Sequence, residues 1–284
     1  DLNPRTKADQ RYKAIGRGRI DLVSGALCDS TESTVRIDPT KPANKINQNN
    51  REVLLALVSP DGINWRYALD NPVLEAPPFD TQNVAFWDSV RQEYSIYVRG
   101  KAGVNGSFDG GFRWIRHSTS PDFIKWKPCK DIDTGDEPSA HLYTNATTPY
   151  FRAPDVYFSF PRRMHPDRRR HDDAPWSGLA DTVFMSSRDG IHFDWRFEES
   201  FIRPGLDPRN WMSRTNLVSN GIVQTGPQEL SLYVLRNRDF PSCHFERMVL
   251  RLDGFVSVNA GFSSNCETFM IKSYMKSRTF FSPL

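Results

Sequence analysis

The hydrophobic positions of this chain fall in short runs with the period of β-strands. Tyr94, Ile96 and Val98 stand two residues apart, and this spacing indicates a strand that buries one face. Similar short runs follow one another along the chain, separated by glycine, proline, aspartate and asparagine, and helical periodicity is weak throughout. The pattern predicts an all-β protein.

A turn segment is repeated along the chain. Ser-Pro-Asp-Gly-Ile-Asn-Trp at residues 59–65 has related copies at 120–126 and 187–193 and a shortened copy at 252–255. Successive aspartates are 61, 67 and 64 residues apart, at Asp61, Asp122, Asp189 and Asp253. We expect the first three to occupy equivalent turns, each with an aromatic side chain packed beside it, namely Trp65, Trp126 and Phe193.

Each period of the repeat contains enough short β-type runs for one four-stranded sheet. Such antiparallel sheets, arranged radially, form the blades of a β-propeller. We predict first strands near residues 83–87, 142–149 and 214–224, and one propeller domain over residues 1–262. In the blade that begins at 83–87 we expect further strands at 94–99 and 113–119 and a short edge strand around Trp126, and in the last blade a fourth strand at 255–258. Its first blade is expected to be incomplete, with the N-terminal part missing, and residues 263–284 form a tail that we assign to no blade.

Composition limits the function classes. The 284 residues suit a single large all-β domain, and 38% hydrophobic residues with 12% aromatic residues are enough for a packed core. A net charge of +3 argues against nucleic acid as a partner. No apolar run approaches the length of a membrane span. The four cysteines lack metal-ligand spacing, and we predict neither a metal nor a cofactor.

Seven segments together resemble a known family. They include Asp1-x-Asn3-Pro4 and Phe79-Asp80-x-x-Asn83-x-x-Phe86-Trp87-Asp88, with further matches at residues 11–13, 59–65, 142–145, 160–163 and 253–257. Over residues 1–260 the chain resembles five-bladed β-propellers of the glycoside hydrolase family 32 and family 43 type, in particular uncharacterised bacterial members. The resemblance implies a carbohydrate substrate and a secreted or periplasmic location.

The resemblance also implies acidic residues in a central funnel. Two carboxyl groups that flank a glycosidic bond divide the work: one protonates the leaving oxygen, and the other attacks the anomeric carbon or activates water. Asp80 precedes the inner strand at 83–87 and is our leading candidate, with a plain loop aspartate as the alternative. Glu137 and Glu199 hold comparable positions in later blades and are the candidates for the general acid.

The second strands of the blades each end in arginine. These are Arg99, the pair Arg162 and Arg163, and Arg236. Arginine binds carboxylates and sulfates through two parallel hydrogen bonds, so the pattern suits an anionic sugar such as a uronic acid, a sulfated unit or a sialic acid. The alternative is that these arginines form ion pairs with Asp80, Asp181 or Glu137.

We expect a group of substrate-binding side chains at one mouth of the funnel, near Asp80: Asn83, Arg99, His141, Tyr143, Arg163, Trp211 and Arg214. The leading hypothesis is a glycoside hydrolase-like propeller that acts on a poly- or oligosaccharide. One alternative is a catalytically inactive propeller that binds carbohydrate, and another is a propeller that binds protein.

Overall fold

The structure is a computed structural model, and it describes residues 1–21, 23–24, 27, 50–75, 78–102, 111–135, 140–168, 178–196, 198–256, 258–260, 269–271 and 276–278. Regular structure in these ranges consists of β-strands, apart from short 3-10 helices at Ala8–Gln10 and Pro208–Asn210. None of the helices in these ranges is long and apolar enough to cross a membrane. The prediction of an all-β fold with antiparallel, blade-like sheets is confirmed.

The chain forms two compact units. One contains Asp1–Gly100 and Arg116–Lys130, and the other contains Lys101–Ile115 and Asp131–Leu284.

The first sheet has three antiparallel strands, β1 (Tyr12–Asp21), β2 (Asn50–Ser59) and β3 (Arg66–Tyr67). Val53, Leu54 and Leu55 on β2 are all buried. Because neighbouring residues of a strand point to opposite faces, β2 is covered on both sides.

The second sheet is a four-stranded meander. Its strands are β4 (Val84–Asp88), β5 (Glu93–Ala102), β6 (Phe112–Ser120) and β7 (Lys130–Asp131), in that order. The first three match the predicted strands, but the edge strand expected around Trp126 is wrong. The indole Nε1 of Trp126 donates to the carbonyl of Phe123 at 3.1 Å, so Trp126 closes a turn and the edge strand forms later, at β7.

The next seven strands form two antiparallel sheets. They comprise β8 (His141–Leu142), β9 (Thr148–Tyr150), β10 (Ala153–Ser159), β11 (Arg162–His165), β12 (Leu179–Thr182), β13 (Met185–Ser187) and β14 (Phe193–Asp194). Two sets of strands result, β14-β13-β10-β9 and β12-β11-β8. A hydrogen bond from the amide of Val183 to the carbonyl of Pro161 joins them at 3.0 Å.

The last sheet contains β15 (Leu217–Val218), β16 (Val223–Gly226), β17 (Glu229–Arg236), β18 (His244–Arg251) and β21 (Lys276–Arg278). β15 and β16 both pair with β17, so the predicted first strand at 214–224 is present but broken. A fourth strand predicted at residues 255–258 is wrong, because the neighbour of β18 is β21. Instead β19 (Val258–Ala260) pairs with β20 (Phe269–Ile271).

The three repeated turns have the same hydrogen bonds, which confirms their equivalence. In each, Oδ1 of the aspartate accepts from the amides two and three residues later, at 2.7–2.9 Å, and from the hydroxyl of the serine two residues before it, at Asp61, Asp122 and Asp189. The residue after the aspartate is left-handed in all three: Gly62 (φ 79°), Phe123 (φ 70°) and Gly190 (φ 82°). In the shortened copy Asp253 itself is left-handed, with φ 58°, so that turn differs.

Candidate functional site

Arg162 and Arg163 are neighbours on β11 but have opposite surroundings. Consecutive side chains of a strand point to opposite faces. Arg163 donates to Asp181 from Nε at 3.0 Å and from Nη2 at 2.6 Å, whereas Arg162 faces the aromatic ring of Tyr143. The two arginines of this strand therefore have separate roles.

The side chain of Arg162 is enclosed, and much of its hydrogen-bonding capacity is unused. The residue is only 4% exposed, and its Nε and Nη1 atoms are buried and have no hydrogen-bond partner among the described residues. Its guanidinium carbon lies 4.7 Å from the centre of the Tyr143 ring. A cation–π contact of this kind stabilises a desolvated guanidinium by about 2 kcal/mol, which is less than the cost of burying an unpaired ion.

The backbone fixes Tyr143 beside Arg162. The amide of Tyr143 donates to the carbonyl of Arg162 at 2.9 Å, and the amide of Arg162 donates to the hydroxyl of Thr144 at 3.2 Å. Here the first strand bulges between β8 and β9, with Ala146 left-handed at φ 43°. Tyr143 follows β8 directly and continues its register opposite Arg162, and it is half-buried.

A second arginine contacts the same ring. The guanidinium carbon of Arg113 lies 5.2 Å from the centre of Tyr143, and its Nε is buried without a hydrogen-bond partner in the described part of the chain. The backbone amide of Arg113 donates to Nδ1 of His141 at 3.0 Å, so Nδ1 is an acceptor and neutral His141 carries its proton on Nε2. Burial lowers the pKa of His141, and the charge of Arg113 lowers it further.

Further arginines add to the positive potential at this place. Burial lowers the pKa of Arg162 to about 10, with smaller lowering contributions from Arg238, Arg214 and Arg113. A guanidinium with this pKa remains charged at pH 7. We call these four side chains, Arg113, Arg162, Arg214 and Arg238, the arginine cluster; they are the chemical feature most suited to an anionic ligand.

Three of the predicted substrate-binding residues belong to the surroundings of Arg162. Tyr143 provides the ring, His141 accepts from Arg113, and Arg214 is a member of the cluster. Arg113 and Arg238 were not among the predicted site residues. The only sequence signal for Arg113 is its position in a strand, and many arginines share such a position.

The predicted residues of the other unit lie around a second ion pair. Asp80 accepts a hydrogen bond from Nη1 of Arg99, and the Asp80 side chain is 37% exposed. The side-chain amide of Asn83 donates to the carbonyls of Phe79 and Thr81, both at 3.1 Å. Asn83 thus holds the loop that carries Asp80 and fixes the start of β4.

The remaining candidates have local partners. Glu199 lies 3.7 Å from Arg203 in an exposed ion pair, and the indole of Trp211 donates to the carbonyl of Gly205 at 2.8 Å. Arg163 forms an ion pair with Asp181, which was the alternative to substrate binding for this arginine. Glu137 lies outside the residues that the structure describes. The catalytic roles assigned to Asp80, Glu137 and Glu199 stay predictions.

Asp181, which was expected only as a possible ion-pair partner of the arginines, is a buried carboxylate. Asp181 is 5% exposed and accepts from Arg163 and from the hydroxyl of Ser200. Nε2 of His165 lies 3.4 Å from its Oδ1. Burial raises the pKa of Asp181, but the hydrogen bonds and charge of Arg163 and the Ser200 hydroxyl outweigh it, and the net pKa is lowered. Asp181 therefore stays ionised and anchors Arg163.

The chain matches no protein-family model and no curated protein. Among solved structures it is similar to an N-acetylgalactosamine deacetylase from F. plautii in complex with blood group B trisaccharide, with 11% identity, 80% of this chain and 65% of that chain covered, and a TM-score of 0.45. A glycoside hydrolase (15% identity, TM-score 0.44) and a BT0996 RGII complex (14%, 0.43) are each matched over 66% of this chain and 53% of their own. The chain thus spans 53–65% of the length of these structures.

Proposed function

We propose that the protein is a carbohydrate-processing enzyme of glycoside hydrolase type, which acts on a poly- or oligosaccharide, and that Tyr143 belongs to a surface that binds this saccharide. The observation that carries this proposal is the half-buried ring of Tyr143 with two guanidinium groups, those of Arg113 and Arg162, in contact with it. An aromatic face beside a few convergent polar groups is typical of small-molecule sites. The resemblance to glycoside hydrolase propellers agrees with such a ligand.

The hydrolytic step needs two carboxyl groups. In the proposed enzyme, one donates a proton to the glycosidic oxygen while the other attacks the anomeric carbon or activates a water molecule. Asp80 is the proposed nucleophile or base. Glu137 and Glu199 are the proposed choices for the acid.

The alternative function is carbohydrate binding without catalysis. One observation favours it: both catalytic candidates within the described residues already have an arginine partner, Arg99 for Asp80 and Arg203 for Glu199. Ion pairs of this type also occur on surfaces that have no catalytic role.

The test is a screen of the purified protein against neutral and acidic oligosaccharides. Reducing-end release and NMR of the products measure cleavage, and calorimetry measures binding. We expect cleavage of one glycan class, and loss of binding to that class in Tyr143→Ala. Binding without cleavage would favour the alternative. A protein that neither binds nor cleaves any glycan would contradict both functions.

A further inference from the structure

In the structure Arg236 ends its strand, but Arg99 lies within β5, and Arg162 and Arg163 begin β11. Of the four arginines that were predicted to end second strands, Arg162 alone lacks a partner acid in the described residues. Arg163 pairs with Asp181, Arg236 pairs with Glu246 at 2.7 Å, and Arg99 pairs with Asp80. No ion pair of Arg162 occurs in the part of the chain that the structure describes. Charged groups that are buried in proteins are normally paired or bound to a ligand, so Arg162 requires an explanation.

The neighbours of Arg162 increase its electrostatic cost. Arg113, Arg214 and Arg238 each lower its pKa, and Nε of Arg113 is also buried without a hydrogen-bond partner among the described residues. Arg238 has an acid nearby, Asp239 at 3.9 Å, but within the described ranges no such partner reaches Arg162. An anionic group placed here would relieve the repulsion and occupy the unused donors.

We infer that Arg162 binds the acidic group of a sugar, a carboxylate or a sulfate ester, against the face of Tyr143. The inference rests on the proposed function for the sugar and on the arginine cluster for the charge. A guanidinium forms two parallel hydrogen bonds with either oxyanion. Arg113 adds a second positive charge on the same ring. The substrate class is therefore an acidic saccharide.

Thermal unfolding of the purified protein tests this inference with four probes at matched ionic strength: galacturonate, galactose 6-sulfate, galactose and inorganic sulfate. The variants are Arg162→Met and Arg162→Lys. The matched control is Arg188→Met, because the Arg188 side chain is 78% exposed and belongs to the same unit. A ligand that binds only the folded protein raises its Tm in a concentration-dependent way.

We expect an acidic sugar to raise the Tm of the wild type and of Arg188→Met, with no response to galactose. Arg162→Met should lose the response. Without ligand its Tm should rise by about 2–4 °C, because replacing a buried unpaired charge by an apolar side chain stabilises the fold. Arg162→Lys keeps the charge but loses the planar guanidinium with its two parallel donors. It should bind the acidic sugar at least about tenfold more weakly.

Three outcomes would overturn the inference. The first is a wild-type Tm that responds to neither acidic sugar. The second is a response to inorganic sulfate alone, which would indicate an anion site that does not recognise sugar. The third is a Tm of Arg162→Met that falls below that of the Arg188 control, which would mean that Arg162 has an acidic partner. Cleavage of a neutral glycan alongside any of these would leave the proposed function standing.

Discussion

Arg163 holds Asp181 with two hydrogen bonds, from Nε at 3.0 Å and from Nη2 at 2.6 Å. The side chains are 14% and 7% exposed, respectively. Removing one member of a buried ion pair leaves the other charge desolvated. The two arginines of β11 should therefore respond to the same substitution with opposite signs.

We predict that Arg163→Met lowers the free energy of unfolding by about 3 kcal/mol, because it leaves the buried carboxylate of Asp181 without its partner charge. Urea unfolding followed by tryptophan fluorescence gives this quantity. Arg188→Met, at an exposed ion pair with Asp155, should change it by no more than about 1 kcal/mol. Equal losses in the two variants would show that Arg163 contributes no more than a surface charge.

Asp181 should also make stability depend on pH. Its pKa in the folded state is lowered, since the hydrogen bonds and charge of Arg163 outweigh the effect of burial. A group with a lowered folded pKa stabilises the fold above its unfolded pKa of about 3.9, and the contribution is lost as pH falls through the folded value.

We therefore expect the free energy of unfolding of the wild type to fall more steeply below about pH 5 than that of Asp181→Asn, which has no such group to titrate. Urea unfolding at a series of pH values from neutral to acidic measures both slopes. Parallel slopes for the two proteins would contradict the assignment of this acid sensitivity to Asp181.

The turn at Asp122 allows a test of backbone strain. Phe123 is left-handed, at φ 70°, where the equivalent turns have Gly62 and Gly190. Phe123 is buried, and its ring centre lies 5.1 Å from that of Tyr94, so packing keeps an aromatic residue in a conformation that costs about 1–2 kcal/mol.

Two substitutions separate these effects. Phe123→Ala and Phe123→Gly both lose the ring and should both be destabilised by at least about 3 kcal/mol. The free energy of unfolding of Phe123→Gly should nevertheless exceed that of Phe123→Ala by about 1 kcal/mol, because glycine adopts positive φ freely. Phe193 is not left-handed and belongs to β14. At this position the alanine variant should therefore be more stable than the glycine variant. Urea unfolding of the four variants would refute this account if alanine were preferred at both positions.

Much of the fold follows from the sequence because strand periodicity and turn chemistry are local. The aspartates of the repeated turns bond to amides only two and three residues away, so their equivalence is visible in the chain. Of the two strand errors, the first has a local cause and the second a non-local one. Trp126 has an aromatic strand-like character but bonds to its own turn, and the partner of β18 comes from residues 276–278, far beyond the predicted segment.

The site is harder to predict because its contacts join residues that are distant in the sequence. Strand alternation shows that Arg162 and Arg163 point to opposite faces, but not which face contains an acid. Asp181 meets Arg163 because β11 and β12 pair with Arg163 opposite Asp181, a register that the sequence leaves open. Tyr143 and Arg113 lie far apart in the sequence, and only the folded chain brings them together.

The catalytic prediction concerns Asp80. Asp80→Asn keeps the size of the side chain and removes its charge. Asp80 is 37% exposed, and its ion pair with Arg99 is worth no more than about 1 kcal/mol at such exposure. We expect the variant to fold with a free energy of unfolding close to that of the wild type. Its turnover on the glycan identified by the screen should fall at least about 100-fold.

The matched control is Glu75→Gln, an exposed carboxylate paired with Arg51 at 2.5 Å. It should keep wild-type turnover, because nothing in the proposed mechanism uses Glu75. Initial rates at saturating and limiting substrate separate the loss in kcat from a change in KM. If Asp80→Asn turned over as fast as Glu75→Gln, Asp80 would have no part in the chemistry. Should Glu199→Gln then also remain active, both described carboxylate candidates would be excluded, and the catalytic acid and base would have to be other groups.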